Sequence, residues 1–366
     1  MKVGVIGCGN ISGIYLKNLS KLFKNTEIYA VSDIDKEKAE KSKNQYNIPH
    51  IMSSEEIINS KEIDVVLNIT TPPHHYLICK QALLCGKHVY VEKPLSLTYE
   101  QGKELVRIAE EKGLYLGCAP DTFLGAGIQT CKKLIEDGKI GKPIGGVGFM
   151  MCRGTESWHP SPEFYYNTGS GPLFDMGPYY LTALITMLGK VQSVFAYADK
   201  SFKERIITSQ PLYGKKIPVN VDTHIVGMLK FESGAIVTLT TSFGVLKHTM
   251  PNIEIYGTKG SLKAPDPNNF GGTVKIATEE NTEFTDVELL SPYSLNSRGI
   301  GLSEMIIAIN EKRINNASGK LALHVLEIME SLLISSKEHR EVTLESVPPN
   351  PVELDWNVEL GKLKTK

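Results

Sequence analysis

The sequence predicts an α/β chain in which a doubly wound parallel sheet is followed by an α+β domain on a mainly antiparallel, open sheet. Three observations carry this. Up to about residue 120, short apolar runs alternate with amphipathic stretches of helical length. The first run ends in a glycine-containing turn that leads straight into a helix. Beyond residue 121, longer strand-like runs are joined by tight turns. A length of 366 residues suits two domains, and the change of pattern sets the expected boundary between 1–121 and 122–366.

In the first part the apolar runs are Val3–Ile6, Ile28–Val31, Val65–Ile69, Val89–Val91 and Leu114–Leu116, with helices expected near 11–23, 36–46, 54–59, 74–85 and 98–112. Strands alternating with helices of this length indicate parallel pairing through right-handed crossovers. Ser53 precedes Glu56, and Thr98 precedes Gln101, by the three-residue spacing of a capping box. The helix after Thr98 carries Leu105, Ile108 and Ala109 on one face and meets a terminator at Gly113.

In the second part a helix fits 125–137, with Ile128, Cys131, Leu134 and Ile135 on one face and Gly138 ending it. Thr223–Phe231 and Ala235–Phe243 flank Glu232-Ser233-Gly234, and Asn252–Tyr256 and Ser261–Lys263 flank Gly257-Thr258-Lys259-Gly260. Both read as antiparallel hairpins. Helices return near 171–188, 302–314 and 321–335, and the proline-rich piece 347–351 reads as a surface connection.

Composition narrows the function classes. An apolar share of 41% and a charged share of 22% are ordinary for a globular protein. The net charge of −1, without basic clusters, argues against nucleic acid or an acidic membrane surface as partner. Met1 leads directly into a strand-like run with no signal-peptide pattern, and no apolar run has bilayer length. Six cysteines lie scattered without a CxxC pair, which reads as reduced thiols in a cytoplasmic protein. No His/Cys/Asp cluster has metal-ligand spacing, so no metal is expected.

Gly7-x-Gly9-x-x-Ser12 sits between the first strand and the first helix. Gly7 permits a tight turn, Gly9 lets the backbone approach a pyrophosphate, and the helix N-terminus presents N–H groups to the phosphates. The second strand ends in Asp33, 24 residues after Gly9, where an acid bonds the ribose 2′-hydroxyl. Its charge would repel a 2′-phosphate, and Ile34 offers no cationic compensation. These residues predict a Rossmann domain holding NAD rather than NADP.

Lys93 follows the apolar strand Val89-Tyr90-Val91, at the end where ligands bind in open α/β sheets. Desolvation there lowers a lysine's proton affinity and suits it to proton transfer, whereas an ordinary lysine would form a rim ion pair with Glu92. Asp121, after Ala119-Pro120, either binds substrate hydroxyls or caps the next helix.

At this point the chain resembles the Gfo/Idh/MocA family, the relatives of glucose–fructose oxidoreductase and inositol dehydrogenase. The resemblance rests on Gly7-Cys8-Gly9-Asn10-Ile11, on Thr71-Pro72-Pro73-His74-His75, on Gly86-Lys87-His88-Val89 leading into Glu92-Lys93-Pro94, and on Gly169-Ser170-Gly171-Pro172-Leu173-Phe174-Asp175-Met176-Gly177. It implies that Asn10, Ile11, Thr71, Pro72, His75 and Glu92 line the cofactor, with helix capping as the other account of His75. It places Lys93 beside nicotinamide and the reacting hydroxyl, and gives Asp175 the task of binding substrate hydroxyls and orienting the proton-transfer group. Many members carry a catalytic His four residues later; here the position is Tyr179, either a proton shuttle or a packed aromatic. Arg153, Trp158 and His159 precede this segment and could cover a sugar ring or form exposed loop packing. His224 reads as structural, although its strand could face the pocket.

The implied reaction is oxidation of a secondary hydroxyl on a sugar, glycoside or cyclitol by hydride transfer to nicotinamide, with oxidation of a glucoside at C3 as the specific form. Two rivals stay open: a redox-neutral glycosidase that holds NAD, and a non-catalytic nucleotide sensor. An open sheet with one uncovered face further predicts a homo-oligomer, dimer or tetramer, formed through the second domain.

Overall fold

The computed structural model describes residues 1–365. Its chain divides into two compact units, one of Met1–Ala126, Leu290–Leu326 and the chain from Val347 onward, the other of Gly127–Leu289 and Glu327–Ser346. In the first, strands β1 (Lys2–Ile6), β2 (Glu27–Ser32), β3 (His50–Ile51), β4 (Val65–Asn68), β5 (His88–Val91) and β6 (Leu116–Cys118) alternate with helices α1 (Ser12–Lys21), α2 (Lys36–Tyr46), α3 (Ser54–Asn59), α4 (Pro72–Leu84) and α5 (Tyr99–Glu111). All strand pairs are parallel, in the order β3-β2-β1-β4-β5-β6. The order reverses between β1 and β4, which opens a crevice at the C-terminal strand ends.

Local chemistry explains these elements. β4 is buried at every position, as is β5 from Val89 to Val91, the continuous apolar burial of a sheet covered on both faces. Ile6, Ile63, Val66, Leu83, Val89, Leu105 and Leu116 share one core, and each fully buried side chain of this kind contributes about 2 kcal/mol. The capping box at Ser53 is complete: Ser53 N donates to Glu56 Oε2 at 2.7 Å and Glu56 N to Ser53 Oγ at 3.1 Å. At Thr98 the forward bond forms, from Gln101 N at 3.3 Å, but Gln101 Oε1 finds no partner among the described residues. Gly113, at φ 64°, ends α5 as expected, and Leu114 N closes back on Ala109 O at 2.8 Å.

The second unit follows α6 (Ala126–Glu136) with β7 (Pro143–Met151), α7 (Gly171–Leu188), β8 (Val191–Asp199), β9 (Glu204–Ile206), β10 (Lys216–Pro218), β11 (His224–Phe231), β12 (Ile236–Ser242), β13 (Ile253–Gly257), β14 (Gly260–Ala264), β15 (Val274–Thr278) and β16 (Thr285–Val287). Helix α8 (Ile300–Glu311) falls in the Leu290–Leu326 segment of the first unit, and α9 (Gly319–Glu338) and the short β17 (Val342–Thr343) follow it in the chain. Nine strands form one sheet, β16-β15-β14-β13-β7-β12-β11-β8-β17, and β9 pairs with β10 apart from it. Both expected hairpins are present and antiparallel. The sheet is mixed because β7 and β12 pair in parallel, from Gly145↔Ile236 to Met151↔Ser242.

Along β11, Ile225, Gly227, Leu229 and Phe231 are buried while Val226, Met228 and Lys230 are exposed. Helix α7 packs against β7, β11 and β12. The exposed side carries Tyr197, Val226, Met228 and Ile236.

The segment Leu290–Leu326 packs within the first unit. Asn18 of α1 donates its amide to Asn296 O (3.1 Å) and Arg298 O (2.9 Å), and Asn25 Nδ2 donates to Ser303 O at 2.8 Å. Among the described residues no helix is long and apolar enough to cross a membrane, and all six cysteines are free thiols.

Candidate active site

The turn after β1 is built for close backbone approach. Gly7 has φ 108°, and a Cβ there would lie 2.7 Å from Ile69 O, so only glycine fits. A Cβ on Gly9 would instead meet nothing within 4 Å. Ile11 occupies the N-cap of α1 without a side-chain cap, and the first turn carries no acid. Ser12 N donates to Gly9 O at 3.1 Å, and no side chain of the turn caps the amides that follow it, with Asn10 exposed beside them. These features fit a dinucleotide pyrophosphate.

Asp33 reaches across from the end of β2. Its Oδ2 accepts Cys8 N at 2.7 Å and its Oδ1 accepts Asp35 N at 2.8 Å. It does not cap α2; Asp35 does, accepting Glu37 N at 3.1 Å. Each Asp33 oxygen keeps acceptor capacity for a ribose hydroxyl. Ile34 is fully exposed beside it, an apolar surface that brings no cation to the site.

Thr71 is the N-cap of α4 and Pro72 its first residue, a start again without a side-chain cap. His75 lies one turn in and is wholly buried, with Nδ1 2.7 Å from Pro94 O and Nε2 3.0 Å from Thr70 O. Burial holds its pKa below the ordinary histidine value, against the pull of those carbonyls. Glu92 leaves β5 buried, accepting Tyr15 Oη at 2.7 Å and Lys93 N at 3.0 Å. Lys93 follows, half-buried, at the C-terminal end of β5.

Asp121 is 1% exposed, and its Oδ2 accepts Gly299 N (2.8 Å) and Gly301 N (3.1 Å) at the start of α8. The helix it holds is 180 residues away, not the next one in sequence. Burial pushes its carboxyl up to about 6, although the two amides and Arg298 pull the other way.

In the second unit, Asp175 is half-buried on α7, and Tyr179 lies one turn later, 7% exposed. Pro178 between them removes the amide that would bond Phe174 O. Burial, with the charges of Asp175 and Glu156, pushes the Cys152 thiol up. Arg153 follows that strand, its guanidinium 5.0 Å from the Phe202 ring, and lines a cavity of about 280 Å³ with Glu156, Ser157, Glu204 and Arg205. Trp158 is exposed, its ring 5.5 Å from His159 and 6.5 Å from Tyr165. His159 Nδ1 accepts Ser161 N at 3.1 Å. His224 Nδ1 lies 2.9 Å from Ser242 Oγ.

Sequence reading missed the buried ion pair of Glu156 with Arg205, to which Tyr166 Oη adds a hydrogen bond of 2.5 Å. Partners 49 residues apart leave no local signal.

Comparison with known proteins places this architecture in a class. The model described as the oxidoreductase family with an NAD-binding Rossmann fold matches residues 1–119, and that of the GFO/IDH/MocA C-terminal domain matches residues 128–263. The chain belongs to the Gfo/Idh/MocA oxidoreductase family, and its N-terminal unit is an NAD-binding Rossmann domain. It is similar to an uncharacterized oxidoreductase of Schizosaccharomyces pombe, 29% identical over 60% of this chain and 63% of that protein. It is 27% identical to myo-inositol 2-dehydrogenase of Thermotoga maritima, over 76% of this chain and 79% of that one. Its fold matches a levoglucosan dehydrogenase solved with NADH and L-sorbose, at TM-score 0.82 and 21% identity, covering 94% of this chain and 99% of the other.

Asp121 generates a pH prediction. Its folded pKa lies above the unfolded value, so its contribution to stability is complete below pH 4 and is lost as pH rises through about 6. A shift of about two units corresponds to about 3 kcal/mol. Asp121→Asn keeps an oxygen for both amides but does not titrate. Urea unfolding of both proteins from pH 4 to 8 should show the variant gaining on the native chain by that order as pH rises; a constant difference would refute the assignment.

Proposed function

We propose that this protein oxidises a secondary hydroxyl of a sugar, glycoside or cyclitol, with NAD preferred to NADP. The observation that carries the reading is Lys93 at the C-terminal end of a parallel strand in an NAD-binding oxidoreductase unit. When bound, NAD supplies the hydride acceptor. Lys93, neutral, takes the hydroxyl proton at Nζ. Asp175 accepts hydrogen bonds from substrate hydroxyls, and Tyr179, on the same helical face, relays the proton. Arg153, Trp158 and His159 serve the substrate ring, and Asp121 supports the site through α8. The dehydrogenase names of the similar proteins from Thermotoga and of known structure favour this substrate class, and C3 of a glucoside is its finest form.

NAD preference rests on Asp33, whose carboxylate is held toward the turn by Cys8 N. A 2′-phosphate would meet that charge without a cation from Ile34. Self-association through the second unit rests on the exposed row of Tyr197, Val226, Met228 and Ile236 across β8, β11 and β12.

Three measurements test this. A screen of sugars, inositols and glycosides should yield NADH, and Lys93→Ala should lower kcat by at least about 100-fold while NAD still binds. Unchanged turnover would sink the assignment; aglycone release without net NADH would point to the glycosidase, and NAD binding without any turnover to the sensor. Replacing Asp33 by Ser should raise kcat/KM for NADP relative to NAD, and a native preference for NADP would defeat the argument. Light scattering should find an oligomer that Met228→Glu weakens; a native monomer would exclude it.

A further inference from the structure

We propose that Tyr15, Glu92 and His75 form a clamp that positions Lys93 by holding the backbone on both sides of it. The inference rests on reading Lys93 as the proton acceptor. On one side, Glu92 Oε2 accepts the Lys93 amide at 3.0 Å, while its Oε1 accepts Tyr15 Oη of α1 at 2.7 Å. Glu92 is itself pinned, since its amide donates to Asn68 O at the end of β4 (2.9 Å). On the other side, the His75 ring of α4 lies 2.7 Å from Pro94 O. Tyr15 and His75 are wholly buried, and Glu92 nearly so.

The chemistry of each member fits the role. A buried carboxylate is tolerated when its oxygens are bonded, and here a phenol and an amide supply the donors. Both neighbours of the His75 ring are carbonyl oxygens, so a neutral ring can bond only one of them. Burial favours that neutral ring, Glu92 and the protonated form of Lys93 act on it in opposite senses, and the shorter contact, to Pro94, takes the single N–H. Burial first, and then Glu92, Asp121 and Tyr90 around it, hold the Tyr15 hydroxyl protonated and donating.

The result ties the lysine backbone to α1, which begins at the phosphate-binding turn, to the end of β4 and to α4. Cofactor-bearing elements and proton acceptor then share one frame, and a misplacement of about 1 Å in such a frame costs about 100-fold in rate. His75 and Tyr15 touch no reacting atom in this account; they act through Lys93.

The test separates positioning from plain structural support. An asparagine amide nitrogen reaches the place of His Nδ1, and that of glutamine the place of Nε2. His75→Gln and Tyr15→Phe should therefore lower kcat about ten- to a hundredfold, and His75→Asn, the conservative variant, should recover most of the loss seen in His75→Gln. The KM for NAD should change less than kcat does in His75→Gln and Tyr15→Phe. Hydrogen–deuterium exchange should show the Lys93 amide losing protection in His75→Gln and Tyr15→Phe but not in His75→Asn. Equal losses in the two His75 variants, or native kcat and protection in Tyr15→Phe, would overturn the clamp. Exchange needs no turnover, so a native protein inactive on every substrate would sink the reading of Lys93 while the clamp is still judged by amide protection.

Discussion

A methyl group at Gly7 would lie 2.7 Å from the carbonyl oxygen of Ile69. That contact sets how closely the turn after β1 approaches the end of β4, and much of the first unit is arranged around it. Gly7 N bonds Ser32 O at 2.8 Å, and Cys8 N bonds the Asp33 carboxylate, so three strand ends meet at one backbone turn. Had the turn been wider, Asp33 would lose its amide partner and the start of α1 would shift away from the crevice at the β1–β4 switch point.

The first unit holds several buried polar groups, each with its own means of tolerating burial. Glu92 has a phenol and an amide, and Lys87 Nζ donates to Ser60 O and to Ile63 O, the latter at 2.8 Å. Asp121 has two amides of α8 and yet keeps a raised pKa, because removal from water outweighs two neutral donors. Polar burial of this density costs stability unless its geometry is kept. That gives a physical reason for the rigid frame beneath Lys93: donors and acceptors that have no water to turn to hold each other in place.

Much of the fold was legible because its signals are local. Helix periodicity, the cap at Ser53, the terminator at Gly113 and the glycine turns of both hairpins act over a few residues, and each appears where expected. β3, with two residues, was too short to leave a periodic trace. The parallel pairing of β7 with β12 was not legible either, since it joins strands about 90 residues apart and no turn encodes it. At the site, the glycine turn, Asp33 and Lys93 could be named from position along strand and helix. The partner of Asp121 could not, because the amides it accepts belong to residues 299 and 301.

By itself the sequence determined the alternating architecture, the Gly7-x-Gly9 turn and the residue types that carry the chemistry, because strand period, helix period and turn stereochemistry are written in neighbouring residues. Only the tertiary structure decided what those residues bond. It gave the Asp33 carboxylate to Cys8 N and helix capping to Asp35, brought Leu290–Leu326 onto the first unit, and enclosed His75 between Thr70 O and Pro94 O. Those outcomes depend on which distant backbone groups lack water and a partner once the chain is packed, a condition that exists only in the folded molecule.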